Sequence, residues 1–169
     1  MGFGTHPHDN MEIVTIPFSG ALQHKDSTGG QGIIKAGDVQ IMSAGTGIQH
    51  SEANASATEP VTLFQVWVFP KERNIKPRYD QRNFDVAERV NKWQTIVSPL
   101  EADKALWINQ DAKFSFTKLE AEKTLEYTNA FKGNGVFLVA INGAVKVGDI
   151  NLNKRDAAGI SGADNFTIT

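Results

Sequence analysis

The sequence predicts an all-β protein made of two similar stretches, each a sandwich or barrel. Three observations predict it. Short runs of β-branched and aromatic residues recur at regular intervals, and glycine-rich turn signals separate them. A charged, proline-bearing arm at residues 70–82 then divides the pattern in two. At 169 residues, with 40% hydrophobic and 21% charged side chains, the chain has the size of one ordinary domain or two small ones.

The elements follow in chain order. Residues 12–16 are β-rich, and residues 18–22 bring the chain round a glycine turn. Residues 26–32 carry turn chemistry throughout, and a second turn across 32–38 leads into a strand at 39–42. Gly45 and Gly47 flank the approach to His50. Residues 61–69 form the strongest strand signal, rich in β-branched and aromatic side chains and ended by Pro70. Residues 70–82 read as a connecting arm, and residues 85–92 as a short helical turn. Strand spacing resumes at 93–97, and residues 113–119 alternate like a half-buried strand. Residues 136–141, Asn142-Gly143 and residues 144–147 predict a hairpin, because Asn-Gly is favoured in a type I′ turn.

Composition excludes several function classes. The longest clean apolar stretch, residues 136–141, is too short to cross a bilayer, so no membrane partner is expected. Formal net charge is −2 and no Lys/Arg cluster stands out, so direct nucleic-acid binding has no electrostatic footprint. The chain has no cysteine, which removes disulfides, thiolate metal sites and cysteine nucleophiles together. The first residues lack the basic segment and apolar run of a signal peptide, which makes the cytoplasm the expected location.

Chemistry concentrates in two short segments. His6-Pro7-His8 and His50-Ser51-Glu52 hold three of the four histidines. In an extended strand, residues two apart point the same way and sit about 6–7 Å apart. Two such strands facing each other would gather three imidazoles and one carboxylate around a common point. That donor set suits Fe(II), Mn(II), Ni(II), Cu(II) or Zn(II), and not the all-oxygen shells of Ca(II) or Mg(II). The second half contains no histidine. If it repeats the fold of the first, it does so without the metal.

Residues 2–8, 11–15 and 37–52 resemble the pirin family. The resemblance is dense from residue 2 to about residue 84, covers residues 77–81 of the arm, and loosens from Trp93 onward. It implies the double-stranded β-helix, the jelly-roll barrel of cupins, in a two-barrel bicupin. Residues 1–84 would form the metal-bearing barrel and residues 85–169 a cupin-like barrel without ligands. Family members carry several tens of residues before this point and continue past Thr169. The chain is therefore expected to be truncated at both ends, with unpaired strands through which a second copy could pair.

The metal ligands implied by the resemblance are His6, His8, His50 and Glu52. Cupins in general take their carboxylate from a glutamate shortly after the His-x-His, which would be Glu12. Four extended residues put Glu12 about 13 Å from His8, whereas Glu52 is two residues from His50. Glu52 is the expected ligand, and Glu12 a supporting residue. His24, beside Lys25-Asp26 at a turn, is expected to be a solvated hairpin residue. Phe3, Met42 and Phe64 are candidates for the pocket wall, with plain core the commoner fate of such side chains.

The enzyme activity reported among pirin-like proteins is quercetin 2,3-dioxygenase. It implies one divalent transition metal, Fe(II) foremost, and Glu52 as the base that accepts the hydroxyl proton of a flavonol. Three neutral imidazoles and one carboxylate leave a divalent ion with a net charge near +1, which favours an anionic, chelating substrate; that it is a small aromatic one such as a flavonol is implied by the resemblance alone. The competing class is a metal-dependent regulator that binds protein partners, and a third is a remnant with an empty site.

Overall fold

The first half of the chain forms eight strands: β1 (Gly2–His8), β2 (Glu12–Ser19), β3 (Ala21–Asp26), β4 (Gln31–Lys35), β5 (Asp38–Ser43), β6 (Ile48–Asn54), β7 (Thr62–Val68) and β8 (Arg78–Asn83). The computed structural model describes residues 1–169. These strands form two antiparallel four-stranded sheets, ordered β1-β6-β3-β4 and β7-β2-β5-β8. Ile13 of β2, Met42 of β5 and Ile48 of β6 pack with Ala44 in one buried cluster, which joins the two sheets. Burying such side chains stabilises the unit by roughly 1.5–3 kcal/mol each.

Six consecutive residues of β2 are buried, because both of its faces are covered. Ile13 points to the cluster just described. Glu12, on the opposite face, accepts a hydrogen bond from the Asn109 backbone N–H. The chain divides into two units, one comprising Met1–Asp85 and Thr95–Phe114, the other Val86–Gln94 and Ser115–Thr169. Residues 95–114 pack with the first unit, tied there by Asn109, by the Lys71 N–H to Asn109 O bond (2.7 Å), and by the Arg78 guanidinium 4.8 Å from the Trp107 ring.

The arm expected at residues 70–82 is a strand in its second part. β8 pairs with β5 from Asp38↔Asn83 to Ser43↔Arg78. Its side-chain anchors are polar: Asn83 Nδ2 and Gln81 Nε2 both donate to Asp38. A strand held this way leaves no hydrophobic period to read.

A ribbon of β9 (Gln94–Val97) and β10 (Phe114–Phe116) follows, preceded by a 3₁₀ turn at Val86–Arg89 inside the expected helical segment. The second unit then forms β11 (Leu125–Thr128), β12 (Val136–Val139), β13 (Val145–Val147), β14 (Ile150–Leu152), β15 (Ala157–Ile160) and β16 (Asn165–Ile168). Its sheets are β11-β16-β13-β14 and β12-β15. The hairpin expected across Asn142-Gly143 is not formed. β12 pairs with β15, and β13 with β14 and β16, so this turn carries the chain from one sheet to the other. Gly20 does the same between β2 and β3, at φ +69° and with the Pro60 carbonyl where a Cβ would stand.

Candidate metal centre

Strands β1, β6 and β3 lie side by side with β6 in the middle, and their registers build the site. His6 stands opposite His50, and Asp26 stands opposite His50 on the other flank. One pair further along β6, His24 stands opposite Glu52. His8 is two residues beyond His6, so all six side chains share one face. A β-bulge between Phe3 and His6 shifts the register of β1, which brings Phe3 opposite Glu52.

Two overlapping groups of donor atoms result. Those of His6, His8 and His50 lie within 4.8 Å of one another, and so do those of His24, His50 and Glu52. The ring centroid of His50 is 4.4 Å from that of His6, 4.9 Å from His8 and 5.3 Å from His24. His24 and His50 are each 1% exposed and Glu52 is 5% exposed, while His6 and His8 are half-buried. The cluster is therefore closed on its β3 side and more open on its β1 side. An open cleft of about 580 Å³ borders it at His8, between Pro7 and Asp9 on one side and Ser27, Thr46 and Gly47 on the other.

The nitrogens of this cluster fit a cation. Both ring nitrogens of His50, Nε2 of His8 and Nδ1 of His24 are buried without a hydrogen-bond partner. Leaving such groups unsatisfied costs about 1–3 kcal/mol each, a cost that metal coordination removes. Burial pushes the His50 imidazole down to about 4, with repulsion from His6, His24 and His8 adding to it and Asp26 opposing it. Burial, then His6, lowers His8 as well. Both rings are neutral at pH 7, which leaves a lone pair on each for a cation.

The surrounding residues orient these donors. Gln65 of β7 donates Nε2 to both Glu52 oxygens, at 2.9 and 2.8 Å. Trp67 Nε1 donates to Gln65 Oε1 (3.0 Å), and the Trp67 ring meets His8 edge-on at 4.9 Å. Asp26 Oδ1 accepts from Thr28 N, Thr28 Oγ1 and Gly30 N at 2.7–3.0 Å. Burial works to raise the Asp26 carboxyl, but the bonds from Thr28, His24 and Gly30 outweigh it and hold it below the usual range. Asp26 is thus an acceptor, and His24 Nε2 donates to its Oδ2 at 3.0 Å. The Tyr79 ring stacks on His24 at 4.8 Å, and burial pushes the Tyr79 hydroxyl up to about 12.

The sequence-derived candidates fall as follows. His6, His8 and His50 come together, whereas Glu52 groups with His24 and His50, its carboxylate engaged by Gln65. Glu12 lies in neither group; it accepts from Ser43 Oγ at 2.8 Å. His24 is not the solvated hairpin residue expected. The inward phase of β3 runs through Leu22, His24 and Asp26, and overrides the polar look of the local sequence. Asp26 was missed, although His24-Lys25-Asp26 repeats the two-residue spacing of the other pairs. Of the wall candidates, Met42 is core, Phe3 is exposed and edge-on to His6, and Phe64 packs on Phe18.

The Pirin family model matches residues 1–68, and the model of the quercetinase C-terminal cupin domain matches residues 95–169. Quercetin 2,3-dioxygenase of Escherichia coli strain K12 is 39% identical over 160 residues, which cover 94% of this chain and 67% of that protein. The chain belongs to the pirin family. A pirin-like protein of Caulobacter vibrioides is 40% identical over 169 residues, covering 99% of this chain and 72% of that protein. The crystal structure of YhhW from Escherichia coli superposes with a TM-score of 0.92 at 37% identity, covering 99% of this chain and 70% of that one. The bacterial pirin YhhW in complex with nickel(II) gives 0.90 at 36% identity, with the same coverage. This pirin-family chain is accordingly an all-β cupin of the two-barrel type. No helix in it is long and apolar enough to cross a membrane.

Proposed function

We propose that this chain is a metal-dependent dioxygenase of the quercetin 2,3-dioxygenase type, with His6, His8, His50 and Glu52 holding one divalent transition metal, Fe(II) foremost. The observation that carries the reading is the convergence of the His6, His8 and His50 rings, with His8 Nε2 and both His50 nitrogens buried without a partner in the protein. The names of the relatives and the nickel(II) complex of YhhW support it. When bound, the metal supplies Lewis acidity toward the adjacent carbonyl and hydroxyl oxygens of a flavonol and the electronic means to react with dioxygen.

The protein's own contribution is positional. His6, His8 and His50 offer imidazole donors from two paired strands. Glu52 takes the proton of the flavonol 3-hydroxyl on a carboxylate oxygen. Gln65 donates to that carboxylate and fixes its orientation, and Trp67 in turn fixes Gln65. The half-buried β1 side and the cleft at His8 admit a flat aromatic anion, while His24 and Tyr79 close the other side.

The test is oxygen uptake by the full chain loaded with one Fe(II), Mn(II), Ni(II), Cu(II) or Zn(II), with quercetin as substrate. Flavonol-dependent oxygen consumption that disappears in His50→Ala is the expected result. A chain that holds one metal and consumes no oxygen with any flavonol would instead fit a metal-dependent binding protein.

A further inference from the structure

Glu52 does not join the His6–His8–His50 group, yet it does close a second one with His24 and His50. Those three residues are the more deeply buried set, at 1%, 1% and 5% exposure. They also face one another across directly hydrogen-bonded strands, His24 opposite Glu52 and His50 in the same strand as Glu52.

His24 is prepared as a donor. Its Nε2–H is committed to Asp26 Oδ2, and Asp26 is itself fixed by Thr28 and Gly30. With the proton on Nε2, the lone pair lies on Nδ1, which is buried and has no partner. A carboxylate on one imidazole nitrogen sets tautomer and ring orientation for a metal on the other. Tyr79 stacks on the ring and further limits its rotation. A histidine serving only as packing has no need of an orphaned, oriented nitrogen beside two other donors.

We propose that His24 is a metal ligand, forming with His50 and Glu52 a second cation position next to the one built on His6, His8 and His50. Two imidazoles and a carboxylate suit a divalent transition metal. His50, and Glu52 as the proposed fourth ligand of the first position, are common to both, so one ion per chain has two places to sit. One is the half-buried β1 side, where substrate can approach, and the other is the β3 side under Tyr79. The position at His24 would hold the metal where solvent does not reach it.

The inference rests on the reading of the first position as a metal site, and its test separates the two. Cobalt(II) is titrated into the metal-free full chain, with affinity read by calorimetry and ligand environment by visible d–d absorption. Wild type is expected to bind about one ion. The His6→Ala/His8→Ala double variant is expected to keep one ion, bound roughly 10–100-fold more weakly and with an altered spectrum. Adding His24→Gln should abolish that residual binding. A folded double variant that binds no cobalt(II), or a triple variant that binds as well as the double, overturns the second position. Should the double variant fail to fold, His24→Gln alone decides. Glutamine keeps an amide donor for Asp26 but offers no imidazole, so a changed spectrum with weaker binding is expected, and an unchanged spectrum and affinity overturn the proposal. Failure of wild type to bind any metal would count against the first position as well.

Discussion

In the first unit, the row of side chains crossing β1, β6 and β3 reads His6, His50, Asp26. In the second, the row crossing β11, β16 and β13 reads Leu125, Ile168, Val147. Both rows lie in four-stranded sheets of matching order, β1-β6-β3-β4 and β11-β16-β13-β14. The second row belongs to an apolar cluster with Ala140, Leu152 and Leu138, and satisfies itself by burial alone. The first row buries nitrogens that find no partner within the protein. One sheet plan thus carries two kinds of interior, one closed on itself and one that leaves buried nitrogens unsatisfied. The difference lies in a few side chains and not in the strand order.

The sharpest way to break the comparison is to give the first row the character of the second. His50→Leu removes the donor common to both proposed ligand groups, and metal content measured by elemental analysis should fall to background. The same change removes two unsatisfied buried nitrogens, so the metal-free chain should gain about 1 kcal/mol in denaturant unfolding. A metal-free variant less stable than metal-free wild type would show that the His50 ring is held by something other than a cation. The converse change is Ile168→Ala in the second unit. It should cost about 2–5 kcal/mol in unfolding free energy while leaving metal content per folded chain at the wild-type level.

A smaller effect belongs to Glu12, which separates structural from ligand carboxylates. Burial raises its carboxyl above the usual range, against the opposing bonds from Ser43 and Asn109 and the charge of Arg78. A folded-state value above the unfolded one means that the folded chain holds the extra proton. The stability so gained is present below the unfolded value of about 4.3 and is lost as pH rises through the raised folded value. Glu12→Gln should flatten that part of the stability–pH curve and leave the bound metal in place. Metal loss equal to that of a His50 variant would move the ligand role from Glu52 to Glu12.

How far the sequence disclosed this arrangement varies from residue to residue. The His-x-His and His-x-Glu pairs were legible because strand side chains alternate with a period of two, and a paired register does the rest. Of the strands before residue 84, β2, β5 and β7 were legible from their β-branched and aromatic residues, whereas β4 fell within residues read as turns. β8 was not legible either, since its anchors are Asn83 and Gln81 on Asp38 and carry no apolar period. Asn142-Gly143 marks a bend but neither the expected type I′ turn nor the expected pairing, because local turn chemistry does not reveal which sheet the next strand joins. His24 was misread for a related reason. Lys25 and the glycines after it look like solvent, while the phase set by Leu22 keeps His24 and Asp26 inside.

Gly45, just before the ligand strand β6, sits at φ +50° with the Ile75 carbonyl where a Cβ would stand, and Thr46 N–H donates to that same carbonyl at 3.0 Å. The consequence concerns timing during synthesis. The strand that bears His50 and Glu52 is clasped by a residue that leaves the ribosome well after it. The cluster joins β1 to β6 across some forty residues of chain and is then locked from Ile75, so its closure is a late, long-range event. The full set of donors is therefore held in place only once the chain has been made as far as Ile75.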